Sequence, residues 1–138
     1  MRIFLDANII FSAAKSDGAI RRLLTLVENA GHECCVDSYV IEEARRNLVA
    51  KAPDRVVALK RLWSRMKTAG APRADAGLET SLPLPAKDRP VLEAAIRQRC
   101  TGLVTGDRTH FGALYGRTIH GVTIHSPQSL AEMLIGHP

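Results

Sequence analysis

The stretch Arg2-Ile3-Phe4-Leu5-Asp6-Ala7-Asn8 decides how this sequence is read. Ile3-Phe4-Leu5 is short, apolar and β-favouring, and an acid and small residues follow at once. It predicts a buried central strand that opens a sheet, with Asp6 immediately after it.

Outward from that strand, residues 9–14 predict a short helical turn, and Ser16-Asp17-Gly18 is a break that can cap a helix. Ile20, Leu23, Leu24, Leu26 and Val27 recur with helical spacing up to a stop at Gly31. Residues 33–36 are the second strand candidate. Ser38 is expected to cap the next helix, where Val40, Ile41, Ala44 and Leu48 form one stripe. Pro53 opens another helix whose apolar seam is Val56, Leu59, Trp63 and Met66. Trp63 is expected in the core or at a dimer face rather than as a platform for bases.

Residues 70–87 are rich in Ala, Pro and Gly and predict a connection with one short strand near residues 82–84. Pro90 begins a helix that Gly102 is expected to close. Leu103-Val104-Thr105 and Val122-Thr123-Ile124 are further strands, and Ser126-Pro127 starts a final helix. Alternating strands and helices predict an α/β layer fold with a mostly parallel sheet. In such a fold chemistry sits at the carboxyl ends of the strands.

A chain of 138 residues suits one well-buried core, and the reading assigns one domain to residues 1–138. With 46% hydrophobic and 24% charged residues, the composition is that of a globular domain and excludes a disordered chain. No apolar run reaches the roughly 20 residues of a membrane-spanning helix. The first residues do not resemble a secretory signal, so a cytoplasmic location is expected. Cys34, Cys35 and Cys100 make a poor disulfide framework; Cys34 and Cys35 are expected in a buried strand and Cys100 at a helix end.

The net charge is +5, which favours an anionic partner. Between Arg45 and Arg73 there are nine Lys and Arg residues and one acid, Asp54, a basic face by composition. Against this stand four acids. Asp6 follows the first strand, Asp107 follows the Leu103-Val104-Thr105 strand, Asp88 opens a helix and Glu43 lies on the second turn of the Ser38 helix. Each alone is an ordinary cap, turn or surface charge. Together at one sheet end they would repel one another unless a cation neutralised them, and oxygen donors of this kind suit Mg²⁺ or Mn²⁺. An acidic hole in a basic surface would draw in a nucleic-acid backbone while a metal handles the chemistry.

Four segments carry a family likeness. Leu5-Asp6-Ala7-Asn8, Val40-Ile41-Glu42-Glu43-Ala44-Arg45-Arg46-Asn47-Leu48, Asp88-Arg89-Pro90-Val91-Leu92-Glu93-Ala94-Ala95 and Leu103-Val104-Thr105-Gly106-Asp107-Arg108 resemble, in order, the four motifs of PIN domains. The nearest branch is the small bacterial one that includes VapC-type ribonuclease toxins. The resemblance implies a three-layer α/β/α sandwich and a metal-dependent endoribonuclease, the toxin of a type II toxin–antitoxin pair. It implies catalytic and metal-binding roles for Asp6, Glu43, Asp88 and Asp107, with Asn8 and Thr105 in support. It also implies RNA contacts from Arg45, Arg46 and Arg108, a cognate antitoxin and a homodimer. An apolar groove for that antitoxin would lie near Leu23, Val27 or Trp63. Glu43 is preferred to Glu42 because the family's acid precedes an apolar residue by five, as Glu43 precedes Leu48.

One departure concerns the last motif. Some relatives carry a further acid after the position of Asp107, where this chain has Arg108-Thr109-His110-Phe111. That leaves the second metal position open, between one firmly held metal and two. His110 is expected at the surface or in support of the site, since water activated by a metal needs no imidazole base.

Two other functions compete. An Asp6-nucleophile phosphatase of the haloacid-dehalogenase kind wants a second Asp two residues on, where this chain has Asn8. A degenerate PIN-like module would bind RNA or protein without cutting, but such loss usually leaves gaps in the acid set.

Overall fold

The structure is a computed structural model and describes residues 1–69 and 77–136. Six strands form one sheet in the order β3-β2-β1-β4-β6-β5. They are β1 (Arg2–Leu5), β2 (Glu33–Asp37), β3 (Lys67–Ala69), β4 (Gly102–Val104), β5 (Thr118–Ile119) and β6 (Val122–His125). All pairings are parallel except β5 with β6. The helices are α1 (Ala7–Lys15), α2 (Ala19–Asn29), α3 (Ser38–Lys51), α4 (Val56–Trp63), α5 (Arg89–Arg97), α6 (Arg108–Phe111) and α7 (Pro127–Ile135). This is the expected α/β class. β1 and β4 have partners on both edges, and Ile3, Phe4, Leu5, Leu103 and Val104 are wholly buried, as parallel strands covered on both faces require.

The order of strands decides where the acids meet. From β1 the chain moves through α1 and α2 to β2, then through α3 and α4 to β3; it then crosses back through α5 to β4 on the other side of β1. Right-handed crossovers running in opposite directions place their helices on opposite faces, which yields the three layers. The reversal between β1 and β4 is a switch point, and it opens a crevice at their carboxyl ends. Leu5 pairs with Val104, so Asp6 and Thr105 leave the sheet side by side. The Asp6 amide donates to the Val104 carbonyl at 3.1 Å, which holds that exit in place.

Several elements differ from the sequence reading for local reasons. α1 is a nine-residue helix that begins directly at Ala7, because the Asp6 carboxylate caps it by accepting from the Ala7 amide. Asp37, not Ser38, caps α3, its Oδ1 accepting from the Val40 amide at 3.0 Å. Asp37 and Ser38 are both capping types, so composition does not choose between them. Gly102 does not close α5 but begins β4; the chain turns at Arg99, which has a φ of 58°.

α4 also differs. It ends at Trp63 and buries Leu59 and Leu62, with Val56, Trp63 and Met66 packed half-buried beside the core. Short β3 and β5 carried no periodic signal. No strand forms at residues 82–84, although Leu78, Leu82 and Leu84 are buried and tie the connection to the core. Residues 70–76 of that connection lie outside the described residues. Leu23 and Val27 are core side chains, while Trp63 packs half-buried beside the core. The three cysteines are buried free thiols, and Cys34 is pushed up to about 12 chiefly by burial. Among the described residues no helix is long and apolar enough to cross a membrane.

Candidate metal centre

Asp6 is the most constrained acid. It is 4% exposed, and three donors converge on it. Oδ1 accepts from the Ala7 amide at 2.7 Å; Oδ2 accepts from the Thr105 hydroxyl at 2.8 Å and from Asn8 Nδ2 at 3.2 Å. Burial is the main reason its carboxyl is raised to about 6, opposed by the Thr105 and Ala7 hydrogen bonds and reinforced by Glu43 and Asp88. Both of those acids are therefore close enough for Asp6 to feel their charge.

Asn8 and Thr105 clasp the two strand exits. Asn8 Nδ2 also donates to Thr105 Oγ1 at 3.2 Å, and Asn8 Oδ1 accepts the Gly106 amide at 2.8 Å. Thr105 Oγ1 accepts the Asp107 amide at 3.1 Å, while Tyr115 donates its phenol to the Thr105 carbonyl at 2.7 Å. A side chain at Gly106 would put its Cβ 3.3 Å from Asn8 Oδ1, a tight contact that the Asn8 side chain would have to yield to by a few tenths of an ångström. The backbone that aims Asp107 is thus anchored to the strand that carries Asp6.

Asp107 caps α6. Its Oδ1 accepts the His110 amide at 3.1 Å, and its Oδ2 lies against the His110 ring. Asp88 closes a single 3₁₀ turn at residues 86–88 that leads into α5. Its carboxyl is raised, mainly by burial and further by Asp107, with His110 opposing. Tyr39 at the start of α3 holds this turn by donating its hydroxyl to the Lys87 carbonyl at 2.8 Å. Burial raises the Tyr39 phenol, and the charges of Glu43, Asp88 and Asp6 add to the effect, so it stands among the carboxylates.

The two adjacent glutamates part company. Glu42 is bound by Arg45 through contacts of 2.6 and 2.9 Å and points into solvent. Glu43 is the one whose charge reaches Asp6 and Tyr39. The guanidinium of Arg45 is engaged by that pair; Arg46 lies near enough to Tyr39 to lower its phenol, and Arg108 does the same for Tyr115.

His110 stands against two of the acids. Its Nδ1 lies 2.8 Å from Asp107 Oδ2 and 3.0 Å from Asp88 Oδ2. Neither contact aligns with the ring N–H, and His110 Nδ1 and Asp88 Oδ2 are buried atoms without a hydrogen-bond partner. Asp88, Asp107 and His110 can each turn one donor atom to a common ion. The one available signal was the spacing of three from Asp107 to His110, which a capping acid converts into contact.

Beside the cluster runs a groove of about 400 Å³ lined by Asn8, Ile9, Ser12, Ile20, Asp107 and Pro127. The basic stretch lies on different elements. Arg55, Arg61 and Arg65 line a cleft of about 540 Å³ with Arg21, Ala58 and Leu62. Arg21 and Arg55 are partly spent on the Ala13 and Ala14 carbonyls at the end of α1.

A three-layer α/β fold with acids gathered where its sheet reverses defines a class, and comparison with known proteins names it. The PIN domain model matches residues 2–109, and the chain belongs to the PIN-domain family. The fold is similar to that in VapBC2 of Rickettsia felis bound to a DNA fragment from its promoter. That match has 18% identity and a TM-score of 0.68, covering 91% of this chain and 98% of the other. It is also similar to that in DNA-bound VapBC of Salmonella typhimurium, with 21% identity, a TM-score of 0.61 and coverage of 92% and 98%. No curated protein sequence matches the chain.

PIN domains use divalent metals, and the donor set here fits one. Carboxylate oxygens dominate it, and Asp88 Oδ2 and His110 Nδ1 are buried without other partners.

Proposed function

We propose that this chain is a metal-dependent endoribonuclease that hydrolyses RNA phosphodiester bonds with Mg²⁺ or Mn²⁺. The observation that carries this reading is a buried Asp6 carboxylate within electrostatic reach of Glu43 and Asp88, with Asp88 and Asp107 meeting at His110. Asp6, Glu43, Asp88 and Asp107 are the proposed holders of the ion. When bound, it would supply positive charge that activates water and offsets charge building on the phosphate.

The chain's own groups do the positioning. Thr105, Asn8 and the Ala7 amide hold the Asp6 carboxylate in one orientation, which removes the entropy of finding it. Tyr39 fixes the turn that presents Asp88, and the Asp107 cap fixes α6. The groove beside Asn8 and Asp107 gives a nucleotide a place to lie against the cluster. Arg46 and Arg108, with Arg45 once it leaves Glu42, are the proposed contacts to the RNA backbone.

The structural likeness to VapBC assemblies supports a further assignment, the toxin of a type II pair with a cognate antitoxin. A homodimer would continue the cationic surface across two subunits. The deciding experiment is cleavage of RNA by protein freed of any partner, with Mg²⁺ or Mn²⁺ and then with EDTA. Metal-dependent cleavage that disappears in Asp6→Asn is the expected result. Cleavage that persists unchanged in that variant would refute the site.

A further inference from the structure

We propose that His110 Nδ1 is itself a metal ligand, which makes this a mixed nitrogen–oxygen centre that prefers Mn²⁺, Co²⁺ or Zn²⁺ to Mg²⁺. The inference rests on the metal-dependent reading above and narrows the class of ion.

The distances carry it. Nδ1 stands 2.8 Å from Asp107 Oδ2 and 3.0 Å from Asp88 Oδ2. Donor atoms held about 2.1 Å from one ion at right angles are about 3 Å apart, which is the edge of an octahedral shell. Donors that share an ion point at the ion and not at each other. His110 shows that feature: two carboxylate oxygens lie within contact distance, yet no hydrogen bond forms to either. An imidazolium bridging two aspartates would instead aim its N–H at one of them.

The neighbourhood reinforces the assignment. Asp107 uses Oδ1 for the His110 amide, so one residue both aims the imidazole and keeps Oδ2 for the ion. Asp88 Oδ2 is buried with no donor to satisfy it, a costly arrangement unless a cation does so. A nitrogen donor discriminates among ions: imidazole suits first-row transition metals, whereas Mg²⁺ favours oxygen and gives up water reluctantly.

The test reads binding, not turnover. Metal-stripped full-length protein is titrated calorimetrically with Mn²⁺, Zn²⁺ and Mg²⁺, as wild type and as His110→Gln. The variant is expected to lose at least about tenfold in Zn²⁺ and Mn²⁺ affinity and to bind Mg²⁺ within about threefold of wild type. In the wild type, nitrogen NMR of the histidine rings should show the His110 Nδ1 resonance moving on Zn²⁺ saturation, a readout that needs no variant. Unchanged Zn²⁺ affinity in His110→Gln, or an unmoved Nδ1 resonance at saturation, overturns the proposal. If Nδ1 responds to Zn²⁺ while no metal supports RNA cleavage, the ligand assignment stands and the nuclease reading fails.

Discussion

The Thr105 hydroxyl donates to Asp6 Oδ2 at 2.8 Å, joining residues 99 positions apart at the exits of two neighbouring strands. The same oxygen accepts the Asp107 amide, so one hydroxyl sets two of the four acids. Thr105→Val keeps the shape and removes the hydroxyl. It should cost about 1–3 kcal/mol, because a buried carboxylate loses a donor. The proposed RNA cleavage should fall with it, while Thr105→Ser keeps most of both. Equal urea midpoints for wild type and the valine variant would show that the hydroxyl holds nothing.

Asp6 makes the metal-free protein sensitive to pH. Its carboxyl is raised from 3.8 to about 6, so the folded state holds a proton that the unfolded state has released. Below about pH 4 the acid is protonated in both states and imposes no cost; above about pH 6 it is ionised in both and the full cost is present. In EDTA, stability should therefore fall as pH rises from about 4 to about 6, by up to roughly 3 kcal/mol from this group. Asp88 is raised as well and acts in the same direction. Asp6→Asn should flatten the profile measured by denaturant titration at several pH values. Parallel profiles for wild type and variant would be inconsistent with a raised Asp6.

Gly106 lies against Asn8, and a Cβ there would stand 3.3 Å from Asn8 Oδ1. Gly106→Ala should displace Asn8 Oδ1 by a few tenths of an ångström and weaken the Gly106 amide contact, at a cost of about 1 kcal/mol. Because that contact anchors the backbone before Asp107, metal affinity should fall several-fold. A crystal structure of the variant with Asn8 unmoved would argue against this.

Tyr39 acts on Asp88 through the Lys87 carbonyl. Tyr39→Phe removes one hydrogen bond that is exposed to water, so stability should change by no more than about 1 kcal/mol. The expected signature is a weaker metal titration at nearly unchanged thermal stability, since the turn carrying Asp88 loses its tether. Loss of stability with intact metal binding would make the tyrosine purely structural.

Much of the fold is visible in the chain. Ile3-Phe4-Leu5 and Leu103-Val104 read as buried strands because apolar, β-favouring runs have no other compact use. Ser126-Pro127 reads as a helix start, and the structure forms a capping box there with Ser129. Periodicity found α2 and α3 because their buried stripes repeat within one or two turns, and Pro90 marked the start of α5. All these signals are local. The acids were legible only as residue types in a family's order, each as well suited to a cap as to a metal.

Tertiary structure decided the rest. It set the strand order, whose reversal between β1 and β4 puts Asp6 beside Thr105. Asp37 became the cap of α3, and Glu42 turned to Arg45 while Glu43 stayed near Asp6. His110 gained its contacts with Asp88 and Asp107, one of them across 22 positions of chain. A sequence determines which residues can pair within a turn of backbone. Which donors stand 3 Å apart depends on register, crossover and packing between distant elements, and no local pattern contains that distance.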